Sequence, residues 1–186
     1  DKTRRAECGV RNNKPSVLIL TESVFSMDGD HAPLREMVAL KEKYGAWLMV
    51  DEAHATGLHG ANRRGLAEAL GVSDRIEIQM GTLGKALGAS GGYICGSRVL
   101  IDFLVNRARS FIFSTAPVPA SAAAAQAGIE LVQSDEGKQR NINAWSLANL
   151  LEHSADASGI SITAPDSLIM PIIIGEEAKA AAVATE

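Results

Sequence analysis

Short runs of apolar, often β-branched residues alternate along this chain with longer stretches in which apolar positions recur every three or four residues. The short runs predict buried strands and the long stretches amphipathic helices, an order that points to an α/β fold with a mostly parallel sheet and flanking helices. Strands are expected at residues 16–21, 47–50, 76–80 and 92–96. The second, Trp47-Leu48-Met49-Val50, is apolar throughout, as expected of a strand covered on both faces. Leu34, Met37, Val38 and Leu40 give one apolar face to a helix over residues 34–44, with Lys41 and Lys43 near its end and Gly45 to stop it.

Further along, Ser97 is a suitable N-cap for a helix reaching about Arg109. Residues 111–113, Phe-Ile-Phe, predict a short strand before Ser114 and Thr115. Pro117-Val118-Pro119 then opens an alanine-rich helix to about Gln133, too close-packed in character to be a membrane element, and Ser134-Asp135-Glu136 restarts a helix that can run to Glu152. Past Ser154 a polar link leads to a strand at residues 168–174 and a last alanine-rich helix from Glu176. The change of texture places a domain boundary near residues 133–135. Residues 1–134 then read as part of a large domain and residues 135–186 as the start of a small C-terminal α/β domain.

Composition narrows this little. The 186 residues are 46% hydrophobic and 22% charged, ordinary for a globular protein, and a net charge of -4 gives no reason to expect nucleic acid. Cys8 and Cys95 stand far apart and fit no metal or redox spacing, so a reduced cytoplasmic compartment is expected, with Cys95 a small buried apolar residue. No apolar stretch is long enough to cross a membrane. A start without Met, and an end inside a helical pattern, are expected of a piece of a longer chain.

The chemistry sits after the strands. In open α/β sheets ligands bind beyond the carboxyl ends of the strands, and three groups of polar residues fall there: Ser26, Asp51 with His54, and Thr82 with Lys85. A pyridoxal phosphate enzyme needs a lysine for the aldehyde, a carboxylate for the ring nitrogen, and donors for the phenolate and phosphate. Lys85 lies among Gly81, Gly84, Gly88, Gly91 and Gly92, which allow close approach of backbone and cofactor.

Four segments carry a resemblance: residues 21–30 (TESVFSMDGD), 50–57 (VDEAHATG), 81–88 (GTLGKALG) and 113–117 (FSTAP). In this order they resemble the α-oxoamine synthases, fold-type-I enzymes that use pyridoxal 5'-phosphate, and the similarity runs over nearly the whole chain. The resemblance implies that Lys85 holds the cofactor and removes the α-proton of the amino acid, that Asp51 pairs with the pyridine nitrogen, and that His54 hydrogen-bonds the phenolic oxygen. It places Ser26 close to the cofactor and Thr82 on its phosphate. Ser114 and Thr115 would reach the phosphate of the partner subunit's cofactor, which implies a homodimer. The implied reaction is decarboxylative condensation of an amino acid with an acyl thioester carried on coenzyme A or an acyl carrier protein. Thr115 favours the branch that joins alanine to a pimelate thioester over the glycine-acetylating branch, where asparagine is expected. The histidine that stacks on the ring and the arginine that grips the amino acid's carboxylate are expected outside these residues, so the 186 residues alone are expected to bind cofactor weakly.

Other readings stand beside this one. A glycine-acetylating or 5-aminolevulinate-forming enzyme is the alternative within the family, and a catalytically silent cofactor-binding or dimerisation fragment the alternative of another class. Asp51-Glu52-Ala53-His54 also spells a helicase box, but Gln79 stands where the first glycine of a phosphate loop belongs and Ala86 follows Lys85. His54 and His59 with Asp51 form a weak metal-ligand pattern. His59 is otherwise expected to be a plain loop residue, His31 and His153 to be solvated, and Glu52 to serve as an ion-pair or backbone partner near the site.

Overall fold

The computed structural model describes residues 16–162 and 166–185; Cys8 lies outside them. Four strands form one sheet in the order β1 (Leu18–Glu22), β2 (Trp47–Asp51), β3 (Ile78–Thr82), β4 (Gly92–Gly96). The first three are parallel, and β4 runs antiparallel to β3. The connection over residues 83–91 is too short for the crossover that a parallel neighbour requires, so the chain turns back on itself. In register, Glu22 faces Asp51 and Asp51 faces Met80, so β1 and β2 end level while β3 runs on past them to Thr82.

The core lies on one face of this sheet. Helix α1 (Leu34–Tyr44) seats Leu34 and Val38 on Leu48 and Val50, all four fully buried, with Leu66, Ala67, Val72 and Ile76 completing the cluster. Gly45 ends α1 in the left-handed conformation, as its position predicts. The other face of β1 and β2 departs from expectation: Leu18, Leu20 and Trp47 are exposed, so β2 is covered on one face among the described residues. The pairs Leu18–Trp47 and Leu20–Met49 lie side by side there.

Helix α2 (Leu66–Ala69) and a 3-10 turn at Ser73–Arg75 are too short to show a hydrophobic period. Helix α3 (Arg98–Arg107) begins as predicted, with Ser97 Oγ accepting from the Leu100 N–H. Residues 111–113 are not a strand: α4 (Arg109–Ile112) takes them up to Phe113. With no neighbouring strand to pair with, their N–H groups bond locally, Ile112 to Ala108 O and Phe113 to Arg109 O.

Helices α5 (Pro119–Gln133) and α6 (Asp135–Ala157) meet at Ser134, whose hydroxyl caps α6 by accepting from the Gly137 N–H. Helix α6 docks on the loop after β2, where Asn141 donates to the carbonyls of Gly57 and Leu58. Residues 168–174 form no strand, because Pro171 removes a donor mid-run and no ladder accepts the segment among the described residues. Helix α7 (Glu177–Val183) follows. No described helix is long and apolar enough to cross a membrane.

Candidate active site

Asp51 is the last residue of β2, half-buried, and its Oδ1 accepts from the Ala53 N–H at 2.8 Å. That short side-chain-to-backbone bond turns the chain sharply off the strand. The turn carries His54, also half-buried, towards the loop after β3. There Lys85 Nζ stands 2.8 Å from His54 Nε2.

Two glycines and a threonine set the lysine loop. Thr82, at the end of β3, donates through Oγ1 to Gly91 O and accepts from the Gly84 N–H, which ties the start of the loop to its end. The backbone closes further through Leu83 to Gly91 O and Ala89 to Leu83 O. Gly57, at φ 86°, lies against Ala86 so closely that a Cβ there would be 2.7 Å from the Ala86 Cβ. This contact brings the His54 and Lys85 loops together. Lys85 is exposed and forms no ion pair with a carboxylate among the described residues. An amine and an imidazole at this separation can pass a proton, and an amine without a carboxylate partner can condense with an aldehyde.

The remaining predicted residues are more loosely placed. Ser26 is exposed on the turn after β1, held by Phe25 bonding to Asp30 O and Gly29 to Phe25 O. Ser114 and Thr115 are exposed beyond α4; Ser114 Oγ donates to Phe111 O, and neither hydroxyl bonds the lysine loop. Cys95 is exposed rather than buried, since β4 is an edge strand among the described residues.

The metal pattern does not assemble. His59 packs edge-on against His31 at 5.1 Å and Trp145 at 5.4 Å, and no group of three possible ligands occurs among the described residues. Nor is His31 solvated: the Nε2 atoms of both His31 and His59 are buried without a hydrogen-bond partner among the described residues. Burial, and then the like charge of His31, hold His59 down to about 4, against the opposing pull of Asp166.

Sequence reasoning understated Glu52. Its side chain is 2% exposed and accepts from Ser23 Oγ and from the N–H groups of Leu66 and Ala67, forming no ion pair among the described residues. The one signal available was an ionisable residue directly after an apolar strand.

The pattern of the family described as aminotransferase class I and II matches residues 6–186, which sets aside the helicase reading. The chain is 48% identical to 8-amino-7-oxononanoate synthase of Anaeromyxobacter dehalogenans over 90% of its own length and 42% of that protein. It is 49% identical to the enzyme of the same name from Geobacter sulfurreducens, over 86% of this chain and 41% of that protein. Among solved structures, serine palmitoyltransferase from S. paucimobilis with bound PLP and myriocin matches with a TM-score of 0.86 at 32% identity, covering 90% of this chain and 44% of that one. An 8-amino-7-oxononanoate synthase from Francisella tularensis matches with a TM-score of 0.68 at 26% identity, over 84% of this chain and 45% of that one. The expected α/β architecture, with its mostly parallel sheet and flanking helices, is thus the fold of these transferases. The chain spans about two fifths of the length of the curated relatives it matches. By the extent of the family match, the chain belongs to the aminotransferase class I and II family.

Proposed function

We propose that this chain is part of a pyridoxal phosphate-dependent acyltransferase that condenses L-alanine with a pimeloyl thioester, with loss of carbon dioxide, to give 8-amino-7-oxononanoate for biotin synthesis. The observation that carries the reading is the 2.8 Å approach of Lys85 Nζ to His54 Nε2, beside a carboxylate at the end of the neighbouring strand. The curated relatives of that name support the choice of substrates.

The donor set suits the cofactor. Lys85 is an exposed amine without a carboxylate partner among the described residues, Asp51 a half-buried carboxylate, and His54 an imidazole with a nitrogen already turned to the lysine. When bound, pyridoxal phosphate supplies an electron sink that makes the α-carbon of an amino acid acidic. Asp51 keeps a proton on the ring nitrogen, because an opposite charge favours the charged form. The bond from Ala53 N–H to Oδ1 fixes the orientation of that carboxylate. Lys85 would hold the cofactor's aldehyde carbon until the amine of the amino acid displaces it, the freed Lys85 amine would then take the α-proton, and His54 would donate to the phenolic oxygen. Thr82 and Ser26 orient the cofactor, Thr82 at its phosphate. Ser114 and Thr115, exposed and free of the lysine loop, serve the cofactor of a second subunit in a homodimer. Residues 1–134 belong to the cofactor-binding domain, residues 135–186 begin a smaller one, and the enzyme works in the cytoplasm.

A second reading draws on the likeness to serine palmitoyltransferase: the same site acting on serine and a longer acyl thioester. One experiment separates the readings. Pyridoxal phosphate added to the full chain is expected to give a visible absorption band that is lost in Lys85→Ala. Alanine, but not serine or glycine, is expected to change the band and, with pimeloyl-CoA, to release coenzyme A. A band indifferent to Lys85→Ala, or none, overturns the assignment of Lys85. A response to serine alone transfers the reading to the second branch.

A further inference from the structure

We infer that Glu52 is a positioning residue whose buried carboxylate sets the direction in which Asp51 and His54 leave β2. The inference rests on the roles proposed above for those two residues. Asp51 is the last residue of β2, and Glu52, the first residue beyond it, still donates its N–H to Met80 O on β3 before the chain turns. Asp51 is half-buried at the candidate site, and Glu52 is 2% exposed, its carboxylate bonded to Leu66 and Ala67 of the core cluster. A twist at either residue is therefore carried to the other.

Every bond that Glu52 makes surrounds that pair. Its Oε2 accepts from Ser23 Oγ at 2.7 Å and from the Leu66 N–H at 2.9 Å, and its Oε1 accepts from the Ala67 N–H at 2.8 Å. Ser23 in turn donates its own N–H to Asp51 O. The Glu52 N–H reaches Met80 O on β3, and Glu52 O accepts from the N–H groups of Ala55 and Thr56 and from Thr56 Oγ1, closing the turn on which His54 rides. Gly65, at φ 140°, closes against the carboxylate so tightly that a Cβ there would lie 2.5 Å from Oε2. The carboxylate thus ties the exit of β1 and the start of α2 to the end of β2.

A buried carboxylate without a cation is costly, and among the described residues hydrogen-bond donors alone compensate for it. Glutamine keeps the shape but cannot keep the bonds. Leu66 and Ala67 donate to opposite oxygens, so whichever way the amide turns, its NH2 faces a backbone N–H. That repulsion rotates the side chain, and with it Asp51 and the His54 turn.

The test uses E52Q in the full chain, with Val38→Ala as a control that lowers stability from the core without touching the site. Two quantities are read: the imidazole NMR signals of His54 without cofactor, assigned with His54→Asn, and the affinity for pyridoxal phosphate from the visible band. E52Q is expected to displace the His54 signals and to weaken cofactor binding about tenfold, the effect of one buried donor left unpaired. Val38→Ala is expected to lower the melting temperature and change neither. Unmoved His54 signals in E52Q, an unchanged affinity, or equal changes in Val38→Ala overturn the inference. If E52Q does not fold, Ser23→Ala removes one of the three bonds and keeps the charge; it is then expected to displace the His54 signals, and no displacement overturns the inference. If the unaltered chain gives no visible band, the cofactor reading fails on its own, and the His54 signals alone decide the role of Glu52.

Discussion

Substituting alanine for Gly57 probes what holds the lysine loop against the histidine. Gly57 has φ 86°, in the left-handed region that costs an L-residue roughly 1–2 kcal/mol. The new Cβ would stand 2.7 Å from the Ala86 Cβ, at least 0.7 Å inside ordinary contact, which begins at 3.4 Å. Overpacking of that kind costs about 1–3 kcal/mol. Gly57→Ala is therefore expected to destabilise the full chain by about 2–5 kcal/mol in urea unfolding. Ala86→Gly removes the opposing methyl and leaves the backbone strain. In a double-mutant cycle, Gly57→Ala/Ala86→Gly is expected to be less destabilised than the sum of the single variants by about 1–2 kcal/mol. The single variant is also expected to bind pyridoxal phosphate more weakly, because the Ala86 loop must move and Lys85 moves with it. A coupling energy below about 0.5 kcal/mol refutes the claim that this one contact closes the two loops on each other.

The charges and caps give further expectations. Asp51→Asn in the full chain is expected to weaken pyridoxal phosphate binding by roughly tenfold or more, read from the visible band, because a neutral amide no longer favours the protonated ring nitrogen. His59 takes up its proton near pH 6.5 when unfolded and near 4 when folded, so the unfolded chain binds more protons between these values. The contribution is complete above pH 6.5 and lost as pH falls towards 4. His59→Phe is expected to flatten that part of the stability profile by about 1–2 kcal/mol, after allowance for solvent screening of a partly exposed ring. Glu77 is pushed up by burial but held below the usual carboxylate range by its bonds from Lys41 and the Leu48 N–H. Lys41→Met is expected to cost about 2 kcal/mol in urea unfolding, with most of it regained in Lys41→Met/Glu77→Gln. Ser97→Ala, which removes the cap of α3, is expected to cost about 1 kcal/mol in the same assay.

What could be read from the sequence, and what could not, follows from the range of the forces involved. Helix α1, the cap at Ser97 and the join at Ser134 depend on residues within a few positions of one another, and local periodicity and capping chemistry locate them. Asp51 and Lys85 stand out because polar side chains directly after apolar strands fall at the open end of a parallel sheet, whatever the rest of the chain does. Residues 111–113 and 168–174 have the composition of strands, yet strand formation requires a neighbour for the backbone, and none of the described strands pairs with them. His59 looks like a plain loop residue and His31 a solvated one until the fold packs the two rings edge-on and α6 places Trp145 against His59. Glu52 and Gly57 are the more instructive pair. A glutamate after a strand and a glycine in a loop are each commonplace, and what gives them a role is the atom opposite: the N–H groups of Leu66 and Ala67 for the one, the methyl of Ala86 for the other. Those partners lie at the start of α2 and in the lysine loop, and only the closure of the fold brings them within contact. The residues proposed to supply the chemistry are therefore recognisable by type and place, whereas those proposed to aim it are recognisable only by what they touch. Substitutions at Glu52 and Gly57 should accordingly disturb the Lys85–His54 approach while leaving every chemically active group in the chain.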